Sequence, residues 1–543
     1  MILRLTSFLG IFVLVGLCWL ASNNRKRINW KTVFWGLALQ FVFAVLILKT
    51  TPGRLVFEVA SNAVSGLISF TDRGAEFVWG PLYRGVPGNY GDKPVTYIYN
   101  TASGRHEPLG FVFLLNALMT IIFFSSLMSV GYHLGLVQPV ISGMAKVMKR
   151  FMGTSGSETL SASANIFVGQ TEAPLVVKPF IETMTMSELH AVMVGGFATV
   201  AGGVMAAYTT FGIDPGHLLA ASVMSAPAAL VAAKMFYPET EKSVTAGDVK
   251  IQLKKTTVNV FDAACSGASD GMKLVWNVMA MLLAFIALIA LFDWCLGQVD
   301  LLIFETVFGG EAIGLSLGWI FGKLFFPLAF IMGIEWSDCE AMGALLGTRM
   351  AINEFVAYIE LSQAEPNLNP RTFVLATYAF CGFANFSSIA IQIGGIGGVA
   401  PSRKSDLASI GLRAMLAGTM ASLFTASLVG LLLSEEEVAF RHNARKADQF
   451  MGHHYQGKID LFEKFSRDYP ESSYLLEVDR KVADYREQAE QRFEELKKQL
   501  EVVRKKNLKG EIDRLLDEIK VIGTDECLKF VEGVEDEKGP PGD

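Results

Sequence analysis

Apolar runs long enough to cross the hydrocarbon core of a bilayer recur along this 543-residue chain, at 5–21, 33–48, 110–131, 191–209, 217–236, 274–296, 372–393 and 407–433. About 20 residues at helical rise span that core, and a segment in lipid must satisfy its backbone hydrogen bonds internally. Such a chain reads as an all-α polytopic membrane protein with about eight transmembrane helices. Composition agrees: 51% hydrophobic residues, 18% charged residues and a mean hydropathy of +0.37 exclude an ordinary soluble enzyme of this length.

Charge divides the chain. The net charge is −6, and roughly half of all Asp, Glu, Lys and Arg fall after residue 434. A membrane part is therefore followed by a soluble, charged helical tail. The first run, RLTSFLGIFVLVGLCWLAS, precedes its basic cluster NNRKRINWK instead of following it, which inverts a cleaved signal and implies a retained helix. Placing Arg25, Lys26, Arg27 and Lys31 in the cytoplasm and alternating from there sets GMAKVMKR, KIQLKK and PSRK inside. YTTFGIDPGH, QVDLLIFETVFGGE and the long loop 51–108 then fall outside, as do both termini. The six cysteines show no CxxC and no clustered spacing, so buried packing is expected of them.

Polar residues inside membrane segments are costly, and one alone would only bridge helices. Here they form a pattern that occurs twice. Gly169-Gln170-Thr171-Glu172-Ala173-Pro174 is followed by GGFATVAGGV (195–204), and Ile352-Asn353-Glu354-Phe355 by FCGFANFSS (380–388), each leading into another apolar span. Glu172 lies 27 residues before Thr199 (199 − 172), and Glu354 lies 31 before Asn385 (385 − 354). Interrupted hydrophobic segments at matching positions in two halves point to an inverted-repeat transporter with its site where helices break. Pro174 removes a backbone donor and the glycines weaken the helix, so freed polar groups must line a wet cavity or hold a ligand. Two re-entrant hairpins are expected, within 152–180 and 327–360.

The expected organisation is N-terminal scaffold helices with their outer loop (1–132), a first repeat (133–240), a linker and scaffold helix (241–310), a second repeat (311–433) and the tail (434–543).

Gln170, Thr171, Glu172, Glu354, Asn385 and Ser388 combine amides, hydroxyls and two carboxylates, with Arg349 the one nearby cation. A neutral or cationic solute rich in hydrogen-bonding groups suits that set. A carboxylate can accept from both hydroxyls of a sugar cis-diol, which fits Glu354. Gln170 and Asn385 offer the donor-acceptor pair that an amide-like base edge requires, and Phe380, Phe383 or Phe386 could supply a flat wall. Oxygens of Asn165 and Thr199, with carbonyls released at the breaks, suit a sodium ion.

The runs GQTEAP, GGFATVAGGV, FDAACSGASDGMKL, INEFVAY, CGFANFSSIAIQIGG and APSRKSDL, in this order, resemble the concentrative nucleoside transporters over about residues 1–433. The resemblance implies a homotrimer in the cytoplasmic (inner) membrane, each protomer a scaffold and a mobile transport domain moving a nucleoside inward with a cation. It makes Gln170, Thr171 and Glu172 base-side contacts and Glu354, Asn385 and Ser388 ribose-side contacts, with Phe383 lining the pocket. It implies sodium ligation by the side chains of Asn165 and Thr199 and the backbone of Val168 and Val200. Thr199 stands where some members have serine, which keeps the hydroxyl. The tail has no counterpart in the family pattern.

Nothing here implies bond-making chemistry, a catalytic residue or a nucleic-acid partner. ATP-driven transport lacks a phosphate-binding Gly-Lys motif. Three alternatives stay open: proton coupling through Glu172 or Glu354, an intramembrane enzyme using those carboxylates as acid and base, and a nucleoside-gated receptor signalling through the tail. Base preference and the partner of the tail are not readable.

In the tail, Val482, Tyr485, Ala489, Phe493, Leu496, Leu500 and Val503 recur at three- and four-residue steps, predicting an apolar helical stripe. A charged helical pair is expected of it, with DEKGPPGD disordered at the end.

Overall fold

The computed structural model describes residues 2–84, 97–100, 105–108, 112–245, 257–302, 312–364, 367–447, 453–472, 474–505 and 509–536. KIQLKK, the part of QVDLLIFETVFGGE beyond Leu302, and DEKGPPGD beyond Asp536 lie outside the described residues. Two compact units result, Met1–Leu432 and Leu433–Asp543.

The first unit opens with α1 (Ile2–Leu20), α2 (Trp30–Lys49) and α3 (Thr51–Trp79). Segment 51–108, expected as a loop, therefore begins with a 29-residue helix, capped by the Thr50 hydroxyl on the Gly53 amide and carrying Pro52 in its first turn, where a missing N–H costs nothing. Beyond it lies an antiparallel hairpin of β1 (Tyr97–Asn100) and β2 (Arg105–Pro108), a small exception to the all-helical expectation. Then come α4 (Met119–Leu134), the amphipathic α5 (Gln138–Met152), α6 (Gly156–Ala164), α7 (Ala173–Val176), α8 (Met186–Ala198), α9 (Gly202–Thr209) and α10 (Pro215–Phe236). The long α11 (Val260–Asp300) leads to α12 (Leu317–Ile331), α13 (Cys339–Ala351), α14 (Glu354–Ala364), α15 (Pro370–Phe380), α16 (Phe386–Val399) and α17 (Lys404–Leu432).

Among the described residues, seven helical stretches are long and apolar enough to cross a membrane, and they coincide with seven of the eight apolar runs. The eighth, 372–393, is divided between α15 and α16 by the irregular segment Cys381–Asn385. Burial sorts the spans. The stretch α8–α9 and helix α10 are each 89% buried, whereas α1 is 22% and α11 17% buried, so the first two are core and the others present apolar sides outward. Against α4, α11 packs through the FDAACSGASDGMKL run: a Cβ on Gly267 would come 2.6 Å from the Ser125 carbonyl oxygen, and one on Gly271 2.8 Å from Ile122 Cα. Small residues four apart let the two backbones approach.

The expected hairpin 327–360 begins later than anticipated. Pro327 sits inside α12, and the hairpin starts at the acidic turn Trp336–Asp338. Asp338 Oδ2 accepts from the Asn369 amide at 2.9 Å and from the Thr372 hydroxyl at 2.7 Å, which fixes the base of the hairpin to α15. Cys18, Cys339, Cys381 and Cys527 are buried as expected, while Cys265 and Cys295 lie on exposed positions of α11.

The second unit comprises α18 (Glu435–Arg445), α19 (Tyr455–Asp468), α20 (Leu475–Lys505), α21 (Lys509–Ile522) and α22 (Asp525–Asp536). The predicted stripe on α20 is buried, Val503 partly, against Phe462 and Phe465 of α19, Ile519 of α21 and Val531 of α22. A bundle replaces the expected pair because α21 and α22 bring apolar stripes of their own. His454 caps α19, its Nδ1 accepting from the Gly457 amide at 3.0 Å.

Candidate functional site

Hairpin 1 starts from a capping box: the Ser155 amide donates to Glu158 Oε1 at 2.7 Å, and the other Glu158 oxygen meets Lys234 Nζ of α10 at 2.6 Å, both side chains almost without solvent. This anchors α6 at its first turn. Its descending arm ends at Asn165, and the tip 165–172 then turns into the single turn of α7, where Pro174 follows Ala173. The return arm is clamped by Arg403 of the PSRK turn, whose Nη1 donates to the carbonyls of Ile181 at 3.1 Å and Met184 at 2.7 Å.

The tip leans on a break. Helix α8 ends at Ala198, and residues 199–201 are extended before α9 begins, with the Gly202 amide donating to the Phe167 carbonyl at 3.2 Å. Glycines in GGFATVAGGV make room for it. A Cβ on Gly195 would lie 3.0 Å from Asn165 Nδ2, and one on Gly196 2.9 Å from Gln170 Cβ.

In the second half, α13 and α14 form hairpin 2 around Ile352 and Asn353, with Asn353 Oδ1 accepting from the Val356 amide at 3.0 Å. The break after α15 follows the same plan. Gly382 takes φ +147, and a Cβ there would come 2.5 Å from the Phe197 carbonyl oxygen, so only glycine passes the end of α8 at this point. Glu172 and Glu354 are 182 positions apart (354 − 172), and so are Ala198 and Phe380 (380 − 198), the last residues of α8 and α15.

The two hairpin tips meet at the first turn of α16. Glu354 is buried. Its Oε1 accepts from the Tyr208 hydroxyl at 2.9 Å and its Oε2 from Asn385 Nδ2 at 3.3 Å. Asn385 Oδ1 caps α16 by accepting from the Ser388 amide at 2.9 Å, and Gln170 Nε2 of hairpin 1 donates to the Ser388 hydroxyl at 3.2 Å. Four of the six polar residues singled out by the sequence are thereby joined: Gln170, Ser388, Asn385 and Glu354. Thr171 lies beside Gly395, and Glu172 is exposed next to Gly169; neither shares a hydrogen bond with that group. Of the three phenylalanines, Phe383 is half-buried in the break, Phe380 fully buried and Phe386 exposed.

Two residues of this cluster escaped the sequence reading. Tyr208 lies on α9 in an apolar run, 146 positions before its partner, and nothing local marks it. Gln392 Nε2 donates to Gln170 Oε1 at 3.1 Å and to the Met193 carbonyl at 3.2 Å, tying α16 to hairpin 1 and α8. A lone amide in IAIQIGG was a usable signal.

The set around Asn165 is compatible with a monovalent cation. Asn165 is fully buried; its Nδ2 donates to the Ser161 carbonyl at 3.1 Å, while its Oδ1 has no partner among the described residues. The Thr199 hydroxyl, also buried, donates to the Gly195 carbonyl at 2.9 Å and keeps its lone pairs. Val200 lies in the extended break and Val168 in the hairpin tip. An orphaned carbonyl oxygen in a dry site is costly unless something cationic or donating occupies it, and neutral oxygens suit sodium.

Three family profiles match in order: Na+ dependent nucleoside transporter N-terminus over residues 9–82, nucleoside recognition gate over 114–214, and Na+ dependent nucleoside transporter C-terminus over 217–430. An uncharacterized transporter of Haemophilus influenzae is 43% identical over 436 residues, covering 79% of this chain and 98% of that protein. The chain belongs to the concentrative nucleoside transporter family. Sodium/nucleoside cotransporter 1 of Rattus norvegicus is 39% identical over 445 residues, and this chain spans 64% of its length. The solved structure of the transporter CNTnw in an inward-facing substrate-bound state is 40% identical, with a TM-score of 0.69, covering 79% of this chain and 97% of that one. A variant of CNTnw in an outward-facing state matches with a TM-score of 0.70 and 39% identity, over 79% of this chain and 98% of that one. These relatives are transporters and not enzymes.

Proposed function

We propose that this concentrative nucleoside transporter imports nucleosides across the cytoplasmic membrane by alternating access, coupled to sodium, as a homotrimer with both termini extracytoplasmic. The observation that carries the reading is the Glu354 carboxylate at a hairpin tip, held from two sides by Tyr208 and Asn385 and joined through the first turn of α16 to Gln170. Glu354, Asn385 and Ser388 take the ribose hydroxyls; Gln170, Thr171 and Glu172 take the base; and Phe383 lines the pocket. Sodium binds Asn165 and Thr199 by side chain and Val168 and Val200 by carbonyl. The ion orders the tip of hairpin 1, which presents Gln170, Thr171 and Glu172 to the nucleoside.

Support for inward and outward states of this fold comes from the relatives, which were solved in both. The exposed apolar sides of α1 and α11 suit contact with lipid and with neighbouring protomers. Uptake of radiolabelled uridine and adenosine into proteoliposomes under an imposed Na+ or proton gradient tests the function. Accumulation driven by Na+ supports it. Accumulation that ignores Na+ but follows inward protons transfers coupling to Glu172 or Glu354.

A further inference from the structure

Repeat 2 sets a charged side chain against its helix break, whereas repeat 1 has the orphaned amide oxygen of Asn165 beside its own. Arg349 lies on α13 of hairpin 2 and is one of the largest fully buried side chains in the protein. Its Nη2 donates to the Ser422 hydroxyl of α17 at 3.0 Å and to the Gly382 carbonyl at 3.4 Å, while Nε has no partner among the described residues. Ser422 in turn donates to the Cys381 carbonyl at 3.2 Å. The guanidinium group therefore sits on the break between α15 and α16.

The spacing that relates Glu172 to Glu354 also relates Thr199 to Cys381 and Val200 to Gly382, each 182 positions apart (381 − 199 and 382 − 200). In the proposed function, Thr199 and Val200 hold the mobile sodium ion. Their counterparts in repeat 2 face a cation that is part of the chain. A buried guanidinium without a carboxylate on hydrogen-bonding terms is expensive in a dry interior, and Glu354, likewise buried, lies five positions away at the tip of the same hairpin.

We propose that Arg349 is a tethered cation that does for the second repeat what the mobile ion does for the first: it fixes hairpin 2 against the α15–α16 break and offsets the charge of Glu354, so that nucleoside binding through Glu354 needs no second ion. The analogy with a sodium position rests on the proposed function; the charge role of Arg349 toward Glu354 does not. Arg349 is a positioning residue and touches no substrate.

The test measures binding of radiolabelled uridine, or adenosine, to purified full-length protein in nanodiscs, with Na+ varied against choline. Arg349→Lys keeps the charge and is expected within about threefold of the parent, whereas Arg349→Met loses about tenfold or more. In the Met variant, added methylguanidinium restores affinity, or binding rises more steeply with Na+ as a second ion fills the vacated position. Equal binding by the Met variant and the parent, with the same Na+ dependence, overturns the idea. So does a Lys variant as weak as the Met variant, or failure of both to insert, since shape and not charge would then be what matters. A parent protein indifferent to Na+ removes the sodium reading while leaving the Lys-against-Met comparison intact.

Discussion

The Tyr208 hydroxyl donates a 2.9 Å hydrogen bond to Glu354 Oε1, linking the second half of one broken span to the tip of hairpin 2. Tyr208 also packs on Tyr358, ring centroids 4.6 Å apart and tilted by 40°, and meets Phe355 edge-on at 4.8 Å, contacts that hold its ring beside the carboxylate. Removing this donor leaves Glu354 buried with one fewer partner, a loss of about 1.5–3 kcal/mol for a bond to a charged group. Tyr208→Phe is expected to weaken nucleoside binding roughly 10- to 150-fold in a folded protein, read by equilibrium binding in nanodiscs.

Glu354→Gln preserves shape and removes charge. Uptake is expected to be abolished with membrane insertion intact, because an amide cannot accept from Tyr208, Asn385 and a ribose diol together. Wild-type uptake by this variant, measured in proteoliposomes, sinks the assignment of Glu354 to the diol.

Asn165→Ala removes the orphaned oxygen of the cation set. Sodium and nucleoside binding are expected to be linked reciprocally in the parent protein, each raising affinity for the other by about 5- to 150-fold. The variant should bind nucleoside more weakly at moderate Na+ and recover at very high Na+. Titrations of nucleoside at a series of Na+ concentrations, in parent and variant, give the coupling factor directly.

Gln392→Leu leaves the Gln170 amide oxygen without its donor and frees the Met193 carbonyl. Nucleoside affinity is expected to fall about fivefold to tenfold, in line with one lost buried hydrogen bond. Since Gln170 is assigned to the base, the ratio of uridine to adenosine affinity should change as well. Binding of both nucleosides unchanged would show that Gln392 does not position Gln170.

The tail is expected to be extracytoplasmic and dispensable for transport. Cys527 is a poor reporter of its location: it is buried in the core of the bundle, and desolvation pushes its thiol above the usual range, so it stays protonated and slow to react at neutral pH. Leu476 is 76% exposed, and Leu476→Cys in a variant without the natural cysteines should react with a membrane-impermeant thiol reagent on intact cells. Reaction only after lysis reverses the topology, and loss of uptake on truncation at Ser434 removes the claim of dispensability.

Pattern alone carried far in this chain. Long apolar runs leave no alternative to membrane helices, so seven spans were legible by length. Polar residues interrupting apolar segments announced both hairpins, with Gly169 and Pro174 beside the first, because a freed backbone group in lipid must have a purpose. That Asn385 and Glu354 belong to one site could be read for the same reason: each residue sits at an interruption that the chain itself marks. Tertiary structure decided what has no local signature. Tyr208 meets Glu354, 146 positions away, from a stretch that reads as ordinary helix, and Arg349, visible in the sequence only as the one cation near the set, meets Ser422, 73 positions away. Segment 51–79 is a helix without an uninterrupted apolar run, its apolar residues interleaved with polar ones, and α20 found three partners rather than one because buried area, not periodicity, sets how many helices close a core.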